Sequence, residues 1–205
     1  MKVLVTGATG FVGKRLVRKL VSLGHKVSIL TRDTESAQKR LPLICDFHRW
    51  EPELYPPSSQ AFNGVDAVVH LAGENIADGR WSKERKKLIK DSRVLSTRNL
   101  VSTLQSMVNP PSVFISSSAV GFYGKDKPVE LYENLEPGKD FLADVCKKWE
   151  HEAFVAKKSN IRTIALRIGI VLGYEGGAMK KMLPPFWVGA GGNLGHGNQW
   201  MSWIH

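Results

Sequence analysis

Short apolar stretches alternate with helical patterns along most of the chain. The stretches predict strands at 2–6, 26–31, 65–71, 112–117 and 161–167, and apolar positions recurring three and four residues apart predict helices at 11–23, 83–107 and 139–158. Strands separated by helices imply βαβ units and a parallel sheet covered on both faces, the Rossmann-type doubly wound α/β class. The segment 33–63 is less regular: Pro42, Pro52, Pro56 and Pro57 interrupt it, which predicts a short strand near 41–46, then loop, with no secure helix. Beyond 172 the pattern gives way to Gly176-Gly177, Pro184-Pro185 and Gly189-Ala190-Gly191-Gly192, and the chain is expected to leave the sheet and approach a ligand cleft. Trp203-Ile204-His205 reads as a strand cut in its middle. The expected division is a nucleotide-binding Rossmann domain over 1–174 and the beginning of a small substrate-binding region over 175–205.

A length of 205 residues with 42% hydrophobic content suffices to bury a full core. No apolar run approaches the roughly 18 residues of a membrane span. The first strand starts at Lys2, which leaves no room for a signal peptide, so no membrane association and a cytoplasmic location are expected. Cys45 and Cys146 are far apart and lack CxxC spacing, which points to packing residues and to no metal. The net charge of +10 raises nucleic-acid binding as a reading. Its densest cluster, Lys83, Arg85, Lys86, Lys87, Lys90 and Arg93, wraps around a helix with no aromatic interleaving after Trp81, so a solvated helix is expected instead. The expected partners are a small-molecule substrate and a second copy of the chain, not a nucleic acid.

The strongest local signal is Gly7-Ala8-Thr9-Gly10-Phe11-Val12-Gly13, placed between the strand Val3-Leu4-Val5 and an amphipathic helix. Glycines suit a tight turn, close backbone approach to a pyrophosphate and close packing of helix on strand, while free N–H groups at the helix start bind the anion. The alternative is a tight strand-to-helix turn with no ligand. A second strand that binds NAD usually ends in Asp or Glu, which takes the ribose 2′-OH. Here it ends in Thr31-Arg32, and Arg32 offers a planar cation for a 2′-phosphate, so NADP is favoured over NAD. The competing reading makes Arg32 a surface charge and gives Asp33 the acidic role.

Together with Val68-Val69-His70-Leu71-Ala72-Gly73 and Phe114-Ile115-Ser116-Ser117-Ser118-Ala119, this loop resembles the extended short-chain dehydrogenase/reductase family of nucleotide-sugar epimerases and dehydratases. The chain is most similar to its atypical epimerase-like branch, some members of which carry a cell-division-inhibitor label. The similarity lies in Leu71-Ala72-Gly73-Glu74-Asn75-Ile76, Arg80-Trp81, Ser92-Arg93, Ser118-Ala119-Val120-Gly121, Trp149-Glu150, Arg167-x-Gly169-x-Val171-Leu172-Gly173 and Trp203-Ile204-His205.

The resemblance implies that Leu71, Ala72 and Gly73 lie along the adenine ribose and pyrophosphate, where small residues admit close backbone approach. It implies a Ser or Thr on the substrate oxygen, a role that Ser118 matches unless it is only a turn former. It also implies a Tyr-x-x-x-Lys pair in the following helix. Anchoring on Trp149-Glu150 puts Leu142 and Cys146 at those two positions, and neither residue replaces its counterpart. Lys147 and Lys148 fall about 100° and 200° around the helix from the expected place. Tyr123, in the loop after Ser118, is the alternative acid, without an adjacent cation in sequence. Ser116 faces the core or the cofactor, and Arg167 and Val171 are implied neighbours of the nicotinamide end. Arg93, where the wider family tends to have Asn, is read either as a clamp for a cofactor phosphate or anionic substrate or as a plain surface arginine. His70 reads as a satisfied core histidine, and His196 and His205 as residues able to meet substrate.

Overall fold

The structure is a computed structural model that describes residues 1–125, 130–193, 195, 197 and 199–205. The elements run β1 (Lys2–Thr6), α1 (Phe11–Ser22), β2 (Lys26–Thr31), α2 (Thr34–Arg40), β3 (Asp46–Arg49), β4 (Ala67–His70), α3 (Lys83–Ser106), β5 (Val113–Ala119), α4 (Phe141–Phe154) and β6 (Arg162–Ile168). They are followed by β7 (Ile170–Gly173), β8 (Gly176–Gly177), α5 (Met179–Trp187) and β9 (Trp203–Ile204). The chain forms two compact units, one of Met1–Ser117 with Lys147–Leu166, the other of Ser118–Cys146 with Arg167–His205.

The first unit is organised by a six-stranded sheet in the order β3-β2-β1-β4-β5-β6. The pairs β2·β3, β1·β2, β1·β4 and β4·β5 are all parallel. The strand order reverses between β1 and β4, the switch point at whose carboxyl edge open α/β sheets bind ligands. Alternation along the strands builds two cores. Leu4 joins Val68, Phe114, Leu100 and Leu104 on the face covered by α3, whereas Val3 and Val5 join Val17, Val27 and Ile29 on the face covered by α1. A strand buried on both faces reads as a continuous apolar run, which is why β1, β2 and β4 were visible in sequence.

Two expectations for the segment 33–63 are corrected. A helix does form, α2, started by Asp33, whose Oδ1 accepts the Ser36 N–H at 2.9 Å. Seven residues with Ala37 as the buried anchor are too few to show a helical period. The short strand lies at Asp46–Arg49 rather than 41–46, pairing with β2 from Ser28↔Asp46 to Thr31↔Arg49. At the other end of the chain, α4 closes at Phe154 and continues as a 3₁₀ turn, Val155–Ser159, which Asn160 ends in the left-handed region (φ 57°).

The second unit carries a three-stranded sheet in the order β8-β7-β9 and the helix α5, which keeps Pro184 and Pro185 inside it. Reading that dipeptide as a breaker gave no helix there. Among the described residues, no helix is long and apolar enough to cross a membrane.

One polar side chain sits at the centre of the first unit. His70, on β4, is fully buried beside Trp50 and Phe114, with Nδ1 2.7 Å from Thr6 Oγ1 and Nε2 3.0 Å from Thr97 Oγ1. Burial lowers its pKa from 6.5 to about 3. The unfolded chain therefore takes up this proton as pH falls through about 6.5, while the folded chain stays neutral down to about 3. Stability is lost on acidification across that window, by at most about 1.4 kcal/mol per pH unit. In urea unfolding at pH 7 and pH 4.5, wild type should lose roughly 2 kcal/mol more than His70→Gln. Equal losses would show that the imidazole is not the source.

Candidate functional site

Three chain segments meet at the carboxyl edge of the first unit's sheet: the Gly7 loop after β1, the end of β2 with α2, and the Leu71-Ala72-Gly73 turn after β4. They bound an open cleft of about 310 Å³. Gly7 (φ 67°) occupies the left-handed region, and a Cβ there would lie 2.7 Å from the carbonyl carbon of Leu71. A Cβ on Gly13 would overlap the Gly7 carbonyl oxygen, so α1 sits against the turn as only glycine allows. Gly10 N donates to Gly7 O at 3.0 Å, and Gly10 stands at the N-cap of α1 with no side-chain cap. Among the described residues, no side chain caps the first-turn amides of α1, the arrangement that binds an anion.

Of the sequence-predicted cofactor residues, Gly7, Thr9, Gly10, Thr31, Arg32, Leu71, Ala72 and Gly73 line the cleft. Phe11, Val12 and Gly13 start α1 without lining it; Arg15 lies 4.3 Å above the Phe11 ring and Val12 is half-exposed. Ser116 is fully buried on β5, paired in register with His70, and its hydroxyl donates to the Ser117 carbonyl at 3.1 Å. It sits in the core, not in the cleft.

Arg93 does not line the cleft either. Its guanidinium donates to the carbonyls of Ile89 (3.0 Å) and Glu74 (2.9 Å) and lies 5.3 Å from the Trp149 ring centroid. Arg85 pairs with the Glu74 carboxylate at 2.8 Å and also donates to the Asn75 carbonyl. Ser92 Oγ accepts the Glu74 N–H at 3.0 Å. Arg85 and Arg93 therefore fasten the segment that follows Gly73 to α3, which corrects the solvated-helix reading at Arg85 and the plain-surface reading of Arg93.

Sequence reasoning missed Ser36 and Arg40, both on α2 and both lining the cleft. The signal that could have pointed to the start of this helix is Asp33 as an N-cap residue with Glu35 in the first turn; nothing in the sequence marks its end at Arg40. Arg32 and Arg40 are exposed, and neither has an ion-pair partner among the described residues. Asp33 also lines the cleft, but its carboxylate is engaged in capping α2.

The second unit holds the other predicted residues. Ser118 is buried at the end of β5, and Tyr123 is buried in a 3₁₀ turn, Val120–Tyr123, packed with Phe122 and Cys146. Arg167 donates to the Tyr123 hydroxyl at 2.9 Å and to the Glu133 carbonyl at 3.0 Å, with its guanidinium 3.5 Å from the Phe122 ring centroid. The structure thus supplies the cation that the sequence around Tyr123 lacks. Val171 pairs with Ile204 across β7·β9. Leu142 and Cys146 face the same turn: a Cβ on Gly121 would lie 3.3 Å from Leu142 Cβ and 3.9 Å from Cys146 Sγ. Lys147 and Lys148 are exposed. His205 is exposed, and His196 lies outside the described residues.

The glycine turn, the uncapped helix start and the paired arginines fit a dinucleotide whose pyrophosphate meets α1 and whose adenosine end meets α2. The chain is 42% identical to the chloroplastic epimerase family protein SDR39U1 homolog of Arabidopsis thaliana, covering 100% of this chain and 59% of that protein. It is 36% identical to the epimerase family protein YfhF of Bacillus subtilis, covering 100% of this chain and 66% of that one. The crystal structure of human epimerase family protein SDR39U1 (isoform 2) with NADPH superposes with a TM-score of 0.82 at 32% identity, over 100% of this chain and 66% of that one. A nucleoside-diphosphate sugar epimerase from Corynebacterium glutamicum gives 0.81 at 36% identity, over 100% and 41%. The chain therefore spans roughly three-fifths to two-thirds of the length of the curated relatives named here. Residues 3–205 match the model of the NAD dependent epimerase/dehydratase family, and the chain belongs to that family.

Proposed function

We propose that the cleft holds NADP(H) and that the protein is an NADP-dependent, epimerase-like oxidoreductase acting on a carbonyl or sugar-nucleotide-like substrate. The observation that carries the cofactor reading is the pair of arginines, Arg32 and Arg40, on the cleft beside an Asp33 already engaged as a helix cap. A 2′-phosphate needs cations, which Arg32 and Arg40 supply on a cleft that also carries the Glu53 carboxylate, and guanidinium groups bind phosphate oxygens bidentately. The human relative crystallised with NADPH supports the same choice.

When bound, a nicotinamide supplies or accepts hydride. The chain's own part is to hold the pyrophosphate on the α1 amides, to receive the 2′-phosphate between Arg32 and Arg40, and to place a proton donor on the substrate oxygen. For the last task the reading assigns Ser118 as the hydrogen-bond donor and Tyr123, with Arg167 at its oxygen, as the proton-transferring group. Leu142 and Cys146, packed at the turn, hold no such chemistry. Their presence favours one second reading, a protein that retains NADP for regulation and turns nothing over.

Arg32→Ala and Arg40→Ala should each weaken NADPH about tenfold in a fluorescence titration, the scale of one lost charge-assisted contact, and leave NADH affinity within about twofold. Equal loss for both cofactors would refute the 2′-phosphate assignment. Bound NADPH should be oxidised by some member of a carbonyl and sugar-nucleotide panel, with Ser118→Ala and Tyr123→Phe slowing the reaction about a hundredfold or more. Tight NADPH binding with no turnover across the panel would replace the enzyme with the regulator.

A further inference from the structure

The parallel ladder between β1 and β4 runs to Thr6↔His70 and is extended by one bond, from Leu71 N to Thr6 O at 3.3 Å. At the next residue the partner is a side chain: Ala72 N donates to Thr6 Oγ1 at 3.1 Å. That hydroxyl stands at the root of the cleft, because Leu71 and Ala72 are also the residues whose backbone excludes a Cβ from Gly7. Behind it stands His70, with Nδ1 2.7 Å from the same oxygen.

We propose that His70 is a positioning residue for the dinucleotide: its imidazole, carrying the proton on Nε2, takes the Thr6 proton at Nδ1, which turns the Thr6 oxygen lone pairs toward Ala72 N–H and locks the Leu71-Ala72-Gly73 turn against the glycine loop. This rests on the reading of the cleft as a dinucleotide site. Three observations favour this direction of the relay. The 2.7 Å contact between Nδ1 and Thr6 Oγ1 has the length of a hydroxyl donor, whereas the 3.0 Å contact from Nε2 to Thr97 Oγ1 has that of an N–H donor. Ser96 Oγ, 3.4 Å from Nε2, directs its own proton to the Ser92 carbonyl at 2.6 Å and so presents a lone pair to the ring. With the opposite tautomer, Thr6 Oγ1 would accept from both Ala72 N and Nδ1, and its proton would have no acceptor among the described contacts. Full burial between Trp50 and Phe114 keeps the ring neutral, as the relay requires.

The relay reaches the ligand through a backbone that forms one wall of the cleft, so it acts on affinity as well as on folding. The test uses the full chain and two independent readouts. In a nitrogen-15 spectrum of the imidazole, His70 should show a protonated Nε2 and an acceptor Nδ1, unchanged from pH 8 to pH 5. A protonated Nδ1, or titration within that range, overturns the relay whether or not cofactor binds. In the second readout, Thr6→Val should weaken NADPH about fivefold, the scale of one neutral hydrogen bond, and Thr6→Ser should restore affinity to within about twofold. A Thr6→Val chain that melts earlier yet binds NADPH as wild type does would reduce His70 to a core residue and overturn the proposal. Failure of wild type to bind NADPH overturns the cofactor reading instead, and leaves the imidazole spectrum to judge the relay.

Discussion

The cleft depends on one steric constraint, the contact between the Gly7 backbone and the backbone of Leu71-Ala72. β1 and β4 are neighbours in the sheet, and both must release the chain at the same edge. The two outgoing turns can lie together only if one of them lacks a Cβ, and Gly7 provides that at a φ of 67°. From that contact follow the direction of α1, the closeness of Gly13 to the Gly7 carbonyl, and an uncapped helix start open to an anion. Substituting any side chain at Gly7 would push apart the two walls that the cleft is made of.

What the sequence revealed follows the same logic. Strands buried on both faces and an amphipathic α1 leave strong periodic patterns, so β1, α1, β2, β4 and α3 were legible to within a few residues. The glycine loop was legible because three glycines between a strand and a helix have few other uses. α2 was hidden because a seven-residue helix with a single buried alanine has no period to show, and Arg40 was hidden with it. α5 was hidden because Pro184-Pro185 argues against a helix locally, and only the structure shows that the chain continues helical through them.

The arginines show where local reading fails for a different reason. Arg85 and Arg93 belong to a stretch dense in cations, and density alone suggests a solvated or phosphate-seeking face. Their partners are the carboxylate of Glu74 and backbone carbonyls of Ile89, Glu74 and Asn75, some of them up to nineteen residues away. A guanidinium that already serves backbone carbonyls has little donor capacity left for a ligand phosphate, whereas Arg32 and Arg40 keep theirs. Charge count therefore pointed to α3, and hydrogen-bond accounting points to α2.

Holding a cofactor and using it would rest on different parts of the chain. In the first unit, the glycine turn of the cleft is built from backbone geometry that leaves no room for a Cβ at Gly7 or Gly13. In the second unit, the positions at which the resemblance expects a phenol and an ammonium carry Leu142 and Cys146, packed against the turn at Gly121. The phenol and the cation are nevertheless present, as Tyr123 and Arg167, drawn from a 3₁₀ turn and from β6 rather than from one helix face. A Tyr and Lys four residues apart on a helix are tied to each other by the helix alone. Tyr123 and Arg167 are forty-four residues apart and are tied by the stacking of the guanidinium on Phe122 and its bond to the Glu133 carbonyl. A pair held by tertiary contacts loses its geometry when any of those contacts is lost, so the chemistry proposed for Tyr123 would depend on the packing of the second unit as closely as the proposed binding depends on the glycines of the first.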